Sequence, residues 1–353
     1  MPESKVYILG AGCSKHCGYP LGQEMKDDLV DFGQSLDPAT SSRLREAVRD
    51  TTALMGGRVD TIDTLVQKLY AGQLDGQIGA QNVDAWTRNG IRSRRVKAAT
   101  SAISAAFLAK EKKVSELGFS RYRNFLYQLF PGAGSNWFAI QRSNCPHVLT
   151  FNYDRAFEIA FLDRFINTDQ YLLYGQRVLN SGLNLNGIGF EPEEFSFLKL
   201  HGSVGMWAVD FPGDPIYQQR LPINGQTVTI DDRLFFPETP DSEHPSRSER
   251  EPLLFFPNQR QFIVSNESGF LFHKYAKAVW HRATELVSNA TDIHVIGYSF
   301  SGIDQGPILD LIAQARGCRR IVVQNPDADQ ICSRLKLDRP QLRSLIECAP
   351  FSF

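Results

Sequence analysis

Four short segments carry polar residues that could handle a nucleotide. In LTFNYDRAFE, Asn152 and Asp154 directly follow an apolar run. In FLKLHGSVG, His201 follows a second run and precedes Gly202. In IHVIGYSFSGID, Gly297 and Ser299 form a small-residue turn that offers itself to a phosphate or a ribose. In IVVQNPD, Asn325 ends a fourth run, where its amide can bond a ribose hydroxyl. Each has a bland reading when taken alone. Asn and Asp are favoured helix caps, and a lone histidine is more often structural than catalytic. Their shared position argues otherwise. All stand at the C-terminal ends of strand-like runs, and open parallel sheets bind ligands outside those ends.

A fifth segment, VYILGAGCSKHCGYPLG, opens the chain. Val6–Leu9 is apolar and reads as a buried parallel strand. Gly10, Ala11 and Gly12 follow at once, and glycine allows a close approach of ligand to main chain. Leu21, Met25 and Leu29 recur at four-residue spacing, so a helix is expected over Pro20–Val30. A strand, a glycine turn and a helix N-terminus make an anion site in which free N–H groups and the helix dipole face phosphates. The dinucleotide fingerprint G-x-G-x-x-G is not met. Position 15 is Lys and the next glycine is Gly18, so the loop is longer and can fold over its ligand.

These segments need a scaffold. Five strands are expected, Val6–Leu9, His147–Phe151, Phe197–Leu200, Ile293–Ile296 and Arg320–Val323, with helical patterns between them. That alternation predicts an α/β, Rossmann-like parallel sheet with helices on both faces. One domain over residues 1–353 is expected, with two interruptions. A mostly helical insert spans about residues 40–140, where Val96, Ala99, Ile103, Ala106 and Phe107 keep helical spacing. A proline-rich irregular insert spans about residues 205–262 and holds eight of the 18 prolines; Thr227–Ile230 within it reads as a short edge strand. The cluster Arg92, Arg94, Arg95 and Lys97 reads as a solvated helix face in preference to a polyanion site.

Composition narrows the classes. A net charge of -1 gives no general pull toward nucleic acid or an anionic membrane. No apolar run nears the roughly 20 residues that span a bilayer, and MPESK lacks the apolar core of a signal peptide, so the cytoplasm is the expected location. The six cysteines form no C-x-x-C pair. Neither a zinc ribbon nor a thioredoxin-type site is therefore indicated. Cys13 and Cys17 flank the glycine loop and read as small buried loop residues before they read as a redox switch.

Taken in order, Gly10-Ala11-Gly12-x-Ser14, Thr150-x-Asn152-Tyr153-Asp154, Leu200-His201-Gly202, Gly297-Tyr298-Ser299-Phe300 and the late Asn325 resemble the sirtuin motifs. More closely, they resemble the sirtuin-like NADases of bacterial anti-phage defence, over residues 5 to 330. The resemblance implies that Asn152 positions a water or the ribose. It implies that His201 acts as general base toward a ribose hydroxyl or that water, which an ordinary histidine pKa of about 6.5 would suit. By the same resemblance Asp154 lines the nicotinamide pocket. Gly10, Ala11, Gly12 and Ser14 would cradle the pyrophosphate. Ser299 and Asn325 would lie on the adenosine side, with Gly297 in the same cofactor-binding turn.

Two departures bear on the reaction. Deacylating sirtuins carry a four-cysteine zinc ribbon between the histidine and the later glycine motif, and residues 202–296 here contain no cysteine. They also carry D-F-R after the proline, where this chain has Leu21, Gly22 and Gln23. The expected activity is hydrolysis of NAD, as substrate, to nicotinamide and ADP-ribose, without a metal. In a cell this would be an anti-phage effector that depletes NAD. The alternatives are an NAD-dependent protein deacylase and a non-catalytic NAD or ADP-ribose binding module. A homo-oligomer is expected, and family relatives imply a partner such as a HerA-type ATPase or a short Argonaute, with no membrane and no direct nucleic acid. Elemental analysis of the purified protein should find no stoichiometric zinc, and chelators should leave activity intact; one tightly bound zinc per chain would overturn the metal-free reading.

Overall fold

The structure, a computed structural model, describes residues 4–55, 61, 64–65, 94–111, 113–114, 116–132, 146–165, 195–208, 218–223, 226–231, 251–254, 271–300, 305–351 and 353. The elements in chain order begin with β1 (Lys5–Leu9), a 3-10 helix (Ala11–Cys17), α1 (Met25–Gln34), α2 (Ser42–Leu54) and α3 (Arg94–Glu111). A second 3-10 turn (Glu116–Phe119), α4 (Ser120–Leu129), β2 (His147–Thr150), α5 (Ala156–Phe165) and β3 (Phe197–Lys199) follow. Four further strands are β4 (Gly202–Ala208), β5 (Gln218–Ile223), β6 (Gln226–Asp231) and β7 (Glu251–Leu254). The chain continues through α6 (Leu271–Ser288), β8 (Asp292–Ile296), α7 (Gln305–Ile312), β9 (Arg320–Gln324), α8 (Ala328–Asp338) and β10 (Ile346–Ala349).

Six strands form one parallel sheet in the order β10-β9-β8-β1-β2-β3. The chain moves outward from β1 through β2 to β3, then restarts on the other side of β1 at β8. That reversal is the doubly wound switch point, the place where open sheets ordinarily bind a ligand beyond the C-terminal strand ends. Register sets the level of every candidate segment. Leu9 stands beside Thr150 and Ile296, Thr150 beside Lys199, and Ile296 beside Gln324. One residue further along each strand, Gly10, Phe151, Leu200, Gly297 and Asn325 therefore leave the sheet along one edge.

The strands alternate their side chains between two cores, as a period of two demands. Val6, Ile8, Leu149, Leu198, Ile293, Val295, Ile321 and Val323 face α6, α7 and α8. Leu9, Val148 and Phe197 face the other way, against buried residues of α1 to α5. Both faces of the sheet are thus covered, which is why its strands are apolar runs instead of alternating ones. Phe157 stacks on Phe197 at 4.5 Å, and Phe161 on Phe195 at 5.5 Å, tying α5 to β3.

The five expected strands form, ending one residue early at Thr150 and Lys199 and running one residue later at Gln324. The sixth, β10, went unread because only Ile346 of its four residues is buried; an edge strand shows no apolar run. The helix expected from Pro20 starts at Met25, since a turn occupies residues 22–24. In the proline-rich region the edge strand expected at Thr227–Ile230 lies within β6, and further strands join it as antiparallel ribbons, β4 with β7 and β5 with β6. Prolines suit two-stranded ribbons, which consist only of edges, and Pro222 and Pro252 occupy such places. Of the helical stretch, α3 and α4 pack into the core through Ala99, Ala102, Ile103, Ala106, Phe107, Tyr122, Phe125, Leu126 and Leu129. The Arg92–Lys97 cluster, Cys145 and residues 232–250 lie outside the described residues or side chains.

The glycine loops after β1 and β8 meet backbone to backbone. Gly10 N–H donates to the Ile296 carbonyl and Gly12 N–H to the Gly297 carbonyl, both at 2.9 Å. A Cβ on Gly10 would lie 2.6 Å from the Gly297 oxygen and 2.6 Å from the Tyr298 Cα. A Cβ on Gly297, whose φ is +64°, would lie 2.6 Å from the Cys13 nitrogen. Main chain cannot yield as a flexible side chain can. Gly10→Ala should therefore lower stability by about 1–3 kcal/mol, the usual range for overpacking. Gly306→Ala, in α7 with nothing within 4 Å of the new methyl, should be neutral or stabilising by up to ~1 kcal/mol. Denaturant titration of the two variants decides; equal stabilities would refute the close loop crossing.

Candidate functional site

The 3-10 helix after β1 delivers Ser14 to the end of β2. Its hydroxyl lies 2.7 Å from the Tyr122 hydroxyl and accepts the Asn152 Nδ2–H at 3.1 Å. All three side chains are buried. Asn152 is held from behind, its backbone N–H donating to Thr150 Oγ1, which itself donates to the Leu9 carbonyl. The β1–β2 pairing thus fixes the base of the Asn152 loop. With its Nδ2 engaged by Ser14, Asn152 turns Oδ1 elsewhere, and that buried oxygen has no hydrogen-bond partner among the described residues. An orphaned acceptor at the mouth of a sheet is costly unless something supplies a donor.

Asp154 is both a cap and a buried charge. Its Oδ1 accepts the Ala156 N–H at 3.0 Å and so caps α5, as the bland reading held. Burial raises its pKa, while Lys199, the Ala156 amide and the Ser14 hydroxyl pull it back down. Lys199 is buried too, and its amine bonds the Asp154 carbonyl oxygen and Glu158 Oε1, the latter at 2.8 Å. Beside this pair, Arg155 forms a two-pronged ion pair with Glu111 of α3, both buried. Buried pairs of this kind hold geometry, and losing one partner strands the other.

His201 leaves β3 where expected, but its electrostatics differ from expectation. The ring packs edge-on to Phe151 at 5.0 Å and nearly parallel to Tyr153 at 5.5 Å. Burial lowers its pKa to about 3, against a small opposing effect of a hydrogen bond with the Phe151 backbone. The pKa therefore lies below the ordinary value expected for this ring. A buried aromatic slot keeps the imidazole neutral at physiological pH and a weak proton acceptor.

The glycine loop also differs from an open anion cradle. The N–H groups of Gly10 and Gly12 are spent on the Ile296 and Gly297 carbonyls, and that of Cys13 on Gly10. A phosphate would meet other groups of this loop. Ala11 is exposed on it, whereas Cys13 and Cys17 are buried, with thiols donating to the Ile296 and Gly118 carbonyls and pKa values raised mainly by burial. On the β8 side, Gly297 and Phe300 both take positive φ, +64° and +49°. For a phenylalanine that is an uncommon, strained conformation. Arg334 of α8 holds it by donating to the Ser299 and Phe300 carbonyls, each at 2.7 Å. Ser299 itself is exposed. Asn325 donates to the Tyr298 carbonyl at 3.3 Å and accepts the Asp327 N–H at 3.0 Å, so its amide stitches the β8 and β9 loops together.

The structure therefore brings Ser14, Asn152 and Asp154 into one buried cluster and leaves Ser299 and Asn325 on the far side of the glycine crossing. Tyr122, Glu111 and Lys199 belong to the cluster and were not singled out from sequence. Tyr19 adds a buried hydroxyl that also has no hydrogen-bond partner among the described residues. Among the described residues no three His, Cys, Asp or Glu side chains gather as metal ligands, and no helix is long and apolar enough to cross a membrane.

No protein-family model and no curated protein matches the chain. Among solved structures, it is similar to a Sir2 homologue in complex with NAD, at 14% identity and a TM-score of 0.41, over 99% of this chain and 84% of that one. A Sir2 homologue mutant with ADP-ribose matches at 13% identity and a TM-score of 0.35, over 99% and 87%. Sir2Tm bound to a propionylated peptide matches at 13% identity and a TM-score of 0.30, over 96% and 93%.

The lowered pKa of His201 has a stability consequence. Folding favours its neutral form, so the stability it contributes is complete above its ordinary pKa of 6.5 and is lost as pH falls toward about 3. In that window the unfolded chain binds a proton that the folded chain does not, a slope of about 1.4 kcal/mol per pH unit. His201→Asn should remove that share of the acid sensitivity. Denaturant unfolding of both proteins between pH 6 and pH 4.5 reads it, and identical slopes would show that His201 is not buried neutral.

Proposed function

We propose that the chain is an NAD hydrolase that cleaves the nicotinamide–ribose bond and releases nicotinamide and ADP-ribose. The observation that carries this reading is the Asn152 amide. It is buried at the C-terminal end of β2, tied to Ser14 through Nδ2, with Oδ1 orphaned. An acceptor held in that state fits a donor brought by a ligand, such as a ribose hydroxyl or a water. The sequence resemblance supplies NAD as the substrate class.

The electron balance suits these residues. The C–N bond breaks with its electron pair passing to the pyridinium ring, so nicotinamide leaves neutral and needs no acid. The sugar becomes oxocarbenium-like. Water adds to that carbon and gives up one proton, for NAD⁺ plus water to nicotinamide, ADP-ribose and H⁺. Asn152 orients the water or a ribose hydroxyl. His201, neutral and weakly basic in its slot, orients a hydroxyl through a hydrogen bond in place of full proton removal. Asp154, where ionised, adds negative charge near the developing cation. In this reading the protein is an anti-phage effector of the cytoplasm that assembles as a homo-oligomer and is released by a partner such as a HerA-type ATPase or a short Argonaute.

With NAD as sole substrate, the purified protein, alone or with such a partner, should release nicotinamide and ADP-ribose in equal amounts. Asn152→Ala should lower turnover by about 10²-fold or more, the scale of a misplaced reacting group, with calorimetric NAD affinity within a few-fold. Turnover that appears only with an acetyl-lysine peptide would replace hydrolysis by deacylation. Tight ADP-ribose binding without any turnover would leave a binding module.

A further inference from the structure

The helical stretch between β1 and β2 places a buried carboxylate beside the Asn152–Asp154 loop, that of Glu111, the last residue of α3. Resting on the NAD-cleaving reading above, we infer that Glu111 is a positioning residue that sets the charge preference of the site. By holding the Arg155 guanidinium it leaves the Asp154 carboxylate to a cation brought by the ligand, so that NAD⁺ binds in preference to NADH.

Buried charges are tolerated in matched pairs. Among the described residues, Glu111, Asp154, Arg155, Glu158 and Lys199 are buried around the start of α5. Arg155 Nε donates to Glu111 Oε2 at 2.8 Å and its Nη2 bonds Oε1, so one carboxylate takes two prongs of the fork. Lys199 Nζ donates to Glu158 Oε1 at 2.8 Å. Those two pairs are neutral. The Asp154 carboxylate is left over, with the Ala156 N–H on Oδ1 at 3.0 Å. Ionised, it gives the five side chains a net charge of -1, two cations against three carboxylates. A pyridinium ring brings the matching positive charge, and the neutral ring of NADH brings none. Arg155 is the chain neighbour of Asp154, and charges this close act strongly on each other in a buried place. Burial raises the Asp154 pKa, Lys199 lowers it, and Glu111 is close enough to add to the rise. Without the Glu111 charge, the Arg155 cation is left to be matched by Asp154, and the cluster is neutral before any ligand arrives.

Packing fixes where Glu111 stands. One turn earlier on α3, Phe107 stacks on Tyr19 at 5.5 Å and meets Tyr153 edge-on at 6.2 Å. Lys110 donates to the Gly18 carbonyl at 3.2 Å and pairs with Asp28 of α1. The end of α3 is thus fastened to the glycine loop and to the residues on both sides of Asp154. Stability alone gives little reason for a charged pair here, since apolar residues of similar volume often serve as well in a buried place. None of these contacts puts Glu111 against the ligand, so its effect passes through Arg155.

The test is calorimetric binding of NAD⁺ and of NADH, with Asn152→Ala in every protein so that NAD⁺ survives the titration. That background should bind NAD⁺ about 10-fold or more tighter than NADH. Adding Glu111→Gln, which removes the charge and keeps an acceptor for Arg155, should bring the two affinities within about 3-fold through weaker NAD⁺ binding. Adding Arg155→Met to Glu111→Gln should restore the preference, because no unmatched cation then remains. A loop merely loosened by the lost pair would weaken both ligands together, and removing the second partner would not restore the ratio. Equal affinities in the background, or a preference untouched by Glu111→Gln, overturn the inference. If Glu111→Gln alone fails to fold, the background and the Glu111→Gln, Arg155→Met protein decide, and loss of the preference in either refutes it. A wild type that never releases nicotinamide overturns the functional reading and leaves this comparison standing, since it reads binding alone. Binding of neither dinucleotide overturns both.

Discussion

The main chain of the loop after β1 touches the main chain of the loop after β8, and most of the site follows from that contact. Two parallel strands at a switch point diverge beyond their ends and ordinarily leave a crevice for a ligand. Here Gly12 N–H bonds the Gly297 carbonyl across it at 2.9 Å, and the positions that side chains would fill are taken by backbone. The chain after β1 is then forced into a 3-10 helix that turns toward β2. Ser14 arrives beside Asn152 because of that turn, and the buried cluster forms between β1 and β2 instead of between β1 and β8. The glycines thus act here as spacers between loops, a demand as strict as that of a phosphate.

What was legible in the sequence follows the strength of each physical signal. Strands buried on both faces are apolar runs, so the five inner or well-covered strands could be read directly. β10 could not, because three of its four residues are not buried. The residues Asn152, Asp154 and His201 stood out because each directly follows a strand. The register then brings their segments level, which sequence alone cannot say, since register depends on pairing. Tyr122 gave no signal at all. It lies in an amphipathic helix among Phe125, Leu126 and Leu129, where an aromatic residue reads as core, and its ring is core. Only its hydroxyl meets the site, across 108 positions of chain from Ser14. The ion partners Glu111 and Arg155 are hidden for the same reason, being ordinary charges until the fold buries them together.

The electrostatics of the site are those of a buried interior. Asp154, Glu158, Arg155, Glu111 and Lys199 are all buried, and each carries a desolvation cost of several kcal/mol that pairing must offset. Lys199 binds Glu158 and the Asp154 backbone, and Glu111 binds Arg155, so two ion pairs from α3, α5 and β3 lock the loop that bears Asn152 and Asp154. Asp154 alone has no cation bonded to its carboxylate among the described contacts; it is held by the Ala156 amide and by Ser14. A carboxylate left in that condition has its pKa raised by burial, and the arrival of a cation would lower it again.

That last point joins the electrostatics to the proposed chemistry. The proposed substrate, NAD, is cationic at its nicotinamide ring before cleavage and at its sugar carbon during it. A site with a neutral histidine adds no opposing positive charge, whereas an imidazolium in the same slot would repel both. The burial that depresses His201 to about 3 therefore works in the direction of the reaction even though it weakens the ring as a base. The weak base is not a handicap for a bond that breaks without acid assistance. The demands left to the protein are to hold the ribose, exclude stray water and aim one oxygen. A buried amide with a fixed orientation meets those demands better than a titrating group, since its donor and acceptor ends do not change with pH.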